Sequence, residues 1–127
     1  MAQSALEEGQ QFLQKKANEP GVKTTHSGLE YKIITEGTGK RPAATDTVKV
    51  NYKGTLISGK QFDANNGISF PLDRVIKGWT EGIPLIKEGG KIILYVPSDL
   101  AYGSAGAGGV IGPDETLIFE VELLKVL

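Results

Sequence analysis

The sequence predicts an α+β domain: one amphipathic helix at the N-terminal end, then a chain that is mostly β-structure. Two observations carry this. Up to Pro20 the apolar residues recur with a period near 3.6, and from Leu29 onward the period becomes 2, the alternation of strands half-buried on one face. Glycine-rich breaks then cut the second part into short runs. The chain has 127 residues, 39% of them hydrophobic, which suits one globular domain with a core of ordinary size.

Ser4 and Glu7 stand at the spacing of a capping box, in which each side chain satisfies a backbone donor at a helix start. Leu6, Leu13 and Ala17 fall near one helical face with Ala5 and Phe12 beside it, and Gln10, Gln11, Lys15 and Lys16 supply the polar side. Pro20-Gly21 ends the element. The apolar stripe is narrow, and a helix of this length is marginal alone in water. It therefore either packs on the domain or forms the tail of a longer element.

Strands follow. Leu29, Tyr31 and Ile33 alternate with Glu30, Lys32 and Ile34; Val48, Val50 and Tyr52 alternate with Thr47, Lys49, Asn51 and Lys53. Ile92, Leu94 and Val96 make a run that stops at Pro97, and Leu117, Phe119, Val121 and Leu123 alternate with Ile118, Glu120 and Glu122. The breaks at Gly37 to Lys40, Gly59-Lys60 and Gly89-Gly90 read as hairpins or loops between them.

Composition excludes several function classes. Fourteen Lys and Arg against fifteen Asp and Glu give a formal charge of −1, so neither nucleic acid nor an anionic membrane is favoured as a partner. With no Cys there is no disulfide framework, thiolate nucleophile or Cys-based metal site. No apolar run approaches the roughly 18 residues that cross a bilayer, and the N-terminus lacks the basic start and hydrophobic stretch of a signal peptide. Membrane insertion is thus not expected. His26, the only histidine, sits in a polar linker and reads as a solvated loop residue. No Ser-His-Asp or paired-carboxylate arrangement can be assembled, so an enzymatic reaction here should need neither a metal, nor a cofactor, nor a covalent intermediate. The Gly-rich stretch from Tyr102 to Gly109 lacks the Lys-Ser/Thr ending of a phosphate loop and opens no helix, so it reads as a loop crossing the sheet.

Val75-Ile76-Lys77-Gly78-Trp79 is the most informative segment, because it sets the only tryptophan in a short apolar stretch between two strand-like runs. Tyr52, Phe62-Asp63, Tyr102, Val110-Ile111 and Phe119 add aromatic and aliphatic groups with few polar ones. That inventory suits a pocket for an apolar ring, with Trp79 as its floor.

From about Gly28 to Leu127 these residues resemble the FKBP family of peptidyl-prolyl cis-trans isomerases. The matching motifs are Val50-Asn51-Tyr52-Lys53-Gly54, Gly59-Lys60-Gln61-Phe62-Asp63, Val75-Ile76-Lys77-Gly78-Trp79, Leu100-Ala101-Tyr102-Gly103, and the segment from Thr116 to Leu124. The run Gly78 to Gly82 and the run Ser27 to Tyr31 are similar to the bacterial Mip/FkpA branch, whose members often carry an N-terminal helical dimerisation region.

The resemblance implies an antiparallel β-sheet wrapped around one short α-helix near Arg74 to Gly82. It divides the chain into an N-terminal helix and linker, 1–27, and an isomerase domain, 28–127. It also implies catalytic positions at Tyr52, Phe62, Asp63, Ile76, Trp79, Tyr102 and Phe119, and substrate-binding positions at Val75, Val110, Ile111 and Ile68. Three departures stand out. The stretch between Asp63 and Phe70 is shorter and lacks an arginine that pairs with the aspartate in many relatives, and Ile68 replaces a common aromatic. Ala107 occupies a place where relatives carry histidine or a bulkier residue. Gly112 precedes Pro113 where a second proline is frequent.

The activity implied is rotation of X-Pro peptide bonds during protein folding, on proline-containing polypeptides, with binding of macrolides of the rapamycin type. The alternative is a binding module or holdase chaperone that uses the same pocket and turns over poorly. A scaffold whose aromatics are all core would leave Trp79 fluorescence unmoved by such a macrolide. The helix is too short to bury much surface, so a monomer is expected of this chain and a dimer of a longer one. The branch favours a periplasmic location, with the cytoplasm open.

Overall fold

The computed structural model describes residues 4–127, so the first three residues of the predicted N-terminal unit lie outside the described residues. Helix α1 spans Ala5–Ala17, and strands β1 (Val22–Thr24), β2 (Glu30–Thr35), β3 (Thr47–Leu56) and β4 (Gln61–Pro71) follow. The short helix α2 (Lys77–Gly82) precedes β5 (Lys91–Val96) and β6 (Leu117–Val126). The strands form one sheet in the order β1-β2-β5-β6-β3-β4, antiparallel throughout. α2 packs on one face of it, against β5.

Ser4 caps α1 as the spacing predicts: its hydroxyl oxygen accepts the Glu7 N–H at 3.2 Å, and its hydroxyl lies 3.1 Å from Glu7 Oε1. The face that packs differs from the expected stripe. Gly9 is buried, with Ala5, Phe12, Leu13 and Lys16 half-buried around it, whereas Leu6 and Ala17 are exposed. Gly9 is small enough to let the helix lie directly on Thr116, and this contact turns Leu6 away. The Phe12 ring then stands 6.0 Å from Tyr95, and Lys16 Nζ lies 5.5 Å and 5.3 Å from the two ring centroids. The helix packs on the domain, which was one of the two expectations for it.

Successive strand residues point to opposite faces, and both faces of the central strands are used. Leu94 and Val96 enter the core under α2, while Tyr95 between them lies under α1 and is 6% exposed. This explains why Glu30, expected on the polar side of its strand, is buried: it pairs with Tyr95 across β2 and β5 beneath α1. Burial raises its carboxyl above the usual range, and Oε1 has no hydrogen-bond partner among the described residues.

Two strands escaped the sequence reading. β1 is only three residues long, too short for a period. Residues 64–69, the stretch expected to be shortened, are not a loop but part of β4, which pairs with β3 through two register shifts. β4 is an edge strand, and its middle, Asp63 to Gly67, is exposed, so no apolar alternation marks it.

The core runs from Val48 and Val50 on β3 through Leu117, Val121 and Leu123 on β6 to Ile92 and Leu94 on β5. Two glycines one helical turn apart let α2 lie on this layer. A Cβ on Gly78 would come 2.6 Å from Val96 Cγ1, and one on Gly82 2.6 Å from Leu94 Cδ2. The helix backbone therefore rests on β5 without intervening side chains, and the opposite side of α2 is left to present Trp79.

Candidate active site

Trp79 lies in the first turn of α2, its N–H bonded to Ile76 O at 3.0 Å, and only 4% of the residue is exposed. Three rings meet its indole edge-on: Tyr52 at 5.0 Å and 82°, Phe119 at 5.3 Å and 85°, and Phe70 at 5.5 Å and 87°. Edge-to-face contacts set the positive rim of one ring on the negative face of another. A fourth ring, Phe62, stands 5.5 Å and 87° from Phe119. β3 passes directly behind that pair at Gly54, where a Cβ would come 2.6 Å from Phe62 Cζ and 2.8 Å from Phe119 Cε1.

Above these rings opens a cavity of about 460 Å³. Tyr52, Phe62, Val75, Ile76, Trp79 and Phe119 line it with apolar surface, and Asp63 and Tyr102 bring polar groups to it. The Tyr52 hydroxyl donates to Asp63 Oδ2 at 2.6 Å. Burial first, and the neighbouring Asp63 carboxylate second, push the Tyr52 phenol up to about 12. The indole Nε1–H is buried with no hydrogen-bond partner among the described residues. Within the same set no three His, Cys, Asp or Glu side chains cluster as metal ligands would.

Ile68, Val110 and Ile111, expected among the substrate-binding positions, do not line this cavity. Ile68 pairs with Val50 in β3 and packs on the core, so Phe70, two residues on, takes the wall. The loop after Tyr102 folds back on itself, with Ala107 N–H to Ile111 O at 2.9 Å and Ile111 N–H to Ala107 O at 3.0 Å. That turn directs Ile111 into the core, 7% exposed, and leaves Val110 outside at 43%. Sequence reasoning in turn missed Phe70, Arg74 and Ala101, which do line it. Ala101 and Arg74 adjoin residues that were picked, whereas Phe70 was hidden because its strand was not recognised.

A family model described as FKBP-type peptidyl-prolyl cis-trans isomerase matches residues 38–124, and one for the domain amino-terminal to such isomerases matches residues 1–33. The chain belongs to the FKBP family. This FKBP is 52% identical over 129 residues to the probable isomerase FkpA of Neisseria meningitidis, covering 98% of this chain and 47% of that protein. It is 53% identical over 122 residues to FkpA of Escherichia coli, covering 93% of this chain and 45% of the relative. The chain thus spans about half the length of the curated relatives it matches. The crystal structure of Escherichia coli FkpA superposes with a TM-score of 0.92 at 51% identity, over 96% of this chain and 59% of that one. An isomerase from Pseudomonas syringae gives 0.92 at 39% identity, over 99% and 98% of the two chains. The arrangement of helix, antiparallel sheet and enclosed short helix is that of these FKBPs.

Proposed function

We propose that this chain accelerates rotation about X-Pro peptide bonds during protein folding, by stabilising the twisted amide in an apolar pocket. The observation that carries the proposal is the open cavity over Trp79, whose buried indole is braced by three edge-on rings. Family membership and the names of the relatives support it.

Rotation is opposed by amide resonance, a barrier of roughly 18–20 kcal/mol, and unaided X-Pro bonds take tens to hundreds of seconds to isomerise. No bond breaks. Twisting removes conjugation and reduces the charge separation of the amide, so a dry apolar site favours the twisted form over the planar one. The prolyl ring would lie on Trp79, with Val75, Ile76, Phe62 and Phe119 as walls. Tyr102, at the exposed rim, and the Ile76 N–H would donate to substrate carbonyls and hold the peptide in a turn suited to rotation. Asp63 fixes Tyr52 through their hydrogen bond. A 10⁴-fold gain needs only about 5–6 kcal/mol of differential stabilisation, which requires no proton transfer.

Proline-containing polypeptides are the substrates in this reading, and macrolides of the rapamycin type would occupy the same cavity. A relative from Legionella longbeachae is named an outer membrane protein MIP, and we place the work of this chain in the periplasm on that kinship. Because α1 uses its packing face on its own sheet, the chain should be a monomer by light scattering.

A peptide with Leu or Phe before proline tests the activity. Its cis-to-trans relaxation should shorten in proportion to added protein, and relaxation at the uncatalysed rate would contradict the proposal.

A further inference from the structure

The two residues that follow Trp79 both tie α2 to its surroundings. Thr80 donates its hydroxyl to Leu72 O on one side. On the other, Glu81 receives the Ser27 hydroxyl, which lies 2.7 Å from Oε1 and 2.6 Å from Oε2, and also the Thr25 hydroxyl on Oε1. The Thr25 and Ser27 hydroxyl oxygens are themselves 3.0 Å apart. Their turn is closed by Gly28 N–H to Thr25 O at 3.1 Å and Thr25 N–H to Leu29 O at 2.8 Å, and it joins β1, which α1 contacts, to β2.

This arrangement is not explained by the helix alone. α2 has six residues, too few to hold its position by its own backbone bonds. Glu81 stands near its C-terminal end, where the helix dipole disfavours a carboxylate. The hydrogen-bond partners of that carboxylate lie outside the helix, in a segment more than fifty residues earlier. A carboxylate that takes two hydroxyl donors makes a charge-assisted tie, and here it acts two residues from the pocket floor.

We propose that Glu81 is a positioning residue: through Thr25 and Ser27 it locks α2 to the turn leading from the N-terminal segment, so that the seat of Trp79 depends on that segment. The catalytic readout rests on the isomerase reading above; the placement of Trp79 does not. Trp79 is the only tryptophan, so its emission reports the floor without labelling.

The test is a mutant cycle of Glu81→Ala against the pair Thr25→Val with Ser27→Ala, with Glu81→Gln as the conservative variant. Each arm of the cycle should shift Trp79 emission and lower kcat/KM by about threefold to tenfold, as a small misplacement of a binding surface does. Combining the arms should add nothing, and Glu81→Gln, which keeps an acceptor oxygen, should recover most of both signals. Unchanged emission and turnover in Glu81→Ala, or effects of the two arms that simply add, would overturn the proposal. If Glu81→Ala does not fold, the Thr25 and Ser27 arm and Glu81→Gln decide by the same readouts. If the wild-type chain shows no isomerase activity, that reading fails, and the emission cycle still decides the role of Glu81.

Discussion

The Tyr52 hydroxyl donates to Asp63 Oδ2 over 2.6 Å while the Tyr52 ring meets Trp79 edge-on at 5.0 Å. One side chain thus joins the apolar floor of the pocket to its polar rim, and it links β3 to β4 at the point where their register shifts. Asp63 is held here by a buried phenol.

The alkaline limit of stability should report this link. The folded chain holds the Tyr52 proton up to about pH 12, whereas an unfolded tyrosine releases it near 10. The folded state therefore binds the proton more tightly, and the stabilisation is complete below about pH 10 and is lost as pH rises toward 12. Urea midpoints measured from pH 8 to 11.5 should fall above 10 in the wild type and fall less steeply in Tyr52→Phe. Parallel curves would show that this phenol does not titrate late.

Removing the floor tests the pocket. Trp79→Ala empties a buried site touched by three rings and should cost ~3–5 kcal/mol in urea unfolding. Trp79→Phe should cost less and keep part of the binding. Unchanged macrolide affinity in Trp79→Ala would place the ligand elsewhere.

Tyr102 separates catalysis from folding because it lines the cavity yet is 42% exposed. Tyr102→Phe keeps the ring and removes only the rim donor, so stability should stay within about 0.5 kcal/mol, as for other surface changes, while kcat/KM falls. A wild-type rate would remove that hydroxyl from the mechanism.

Gly82→Ala opposes two effects of known size. Helix propensity alone would favour alanine by up to ~1 kcal/mol, but its methyl would come 2.6 Å from Leu94 Cδ2, and overpacking of a core costs ~1–3 kcal/mol. Net destabilisation is expected in denaturant melts; a more stable variant would mean that α2 does not rest on β5 as described.

How much was legible beforehand follows from how each residue is buried. Strands with one core face, β3 and β6, announced themselves by alternation, and the motif around Trp79 pointed to the floor. β4 gave no such signal because its exposed middle, Asp63 to Gly67, interrupts the alternation between the half-buried Phe62 and Ile68, and Phe70 was lost with it. Glu30 looked like a surface residue because α1 covers the outer face, and coverage by a distant element leaves no mark on local periodicity. Ile111 and Val110 carried the right chemistry, yet the backbone turn at Ala107 decides which way each points, and a Gly-rich loop encodes that only weakly. Glu81 falls within the Gly78 to Gly82 motif, but its partners Thr25 and Ser27 lie too far back in the chain for spacing to reveal them.

The most direct measurement is the cis-to-trans rate of an X-Pro peptide with Leu or Phe before proline, followed with and without a rapamycin-type macrolide while Trp79 emission is recorded. Acceleration that the macrolide abolishes, in step with a change in Trp79 emission, is the predicted result. Macrolide binding without any acceleration by the free protein would contradict catalysis at this pocket.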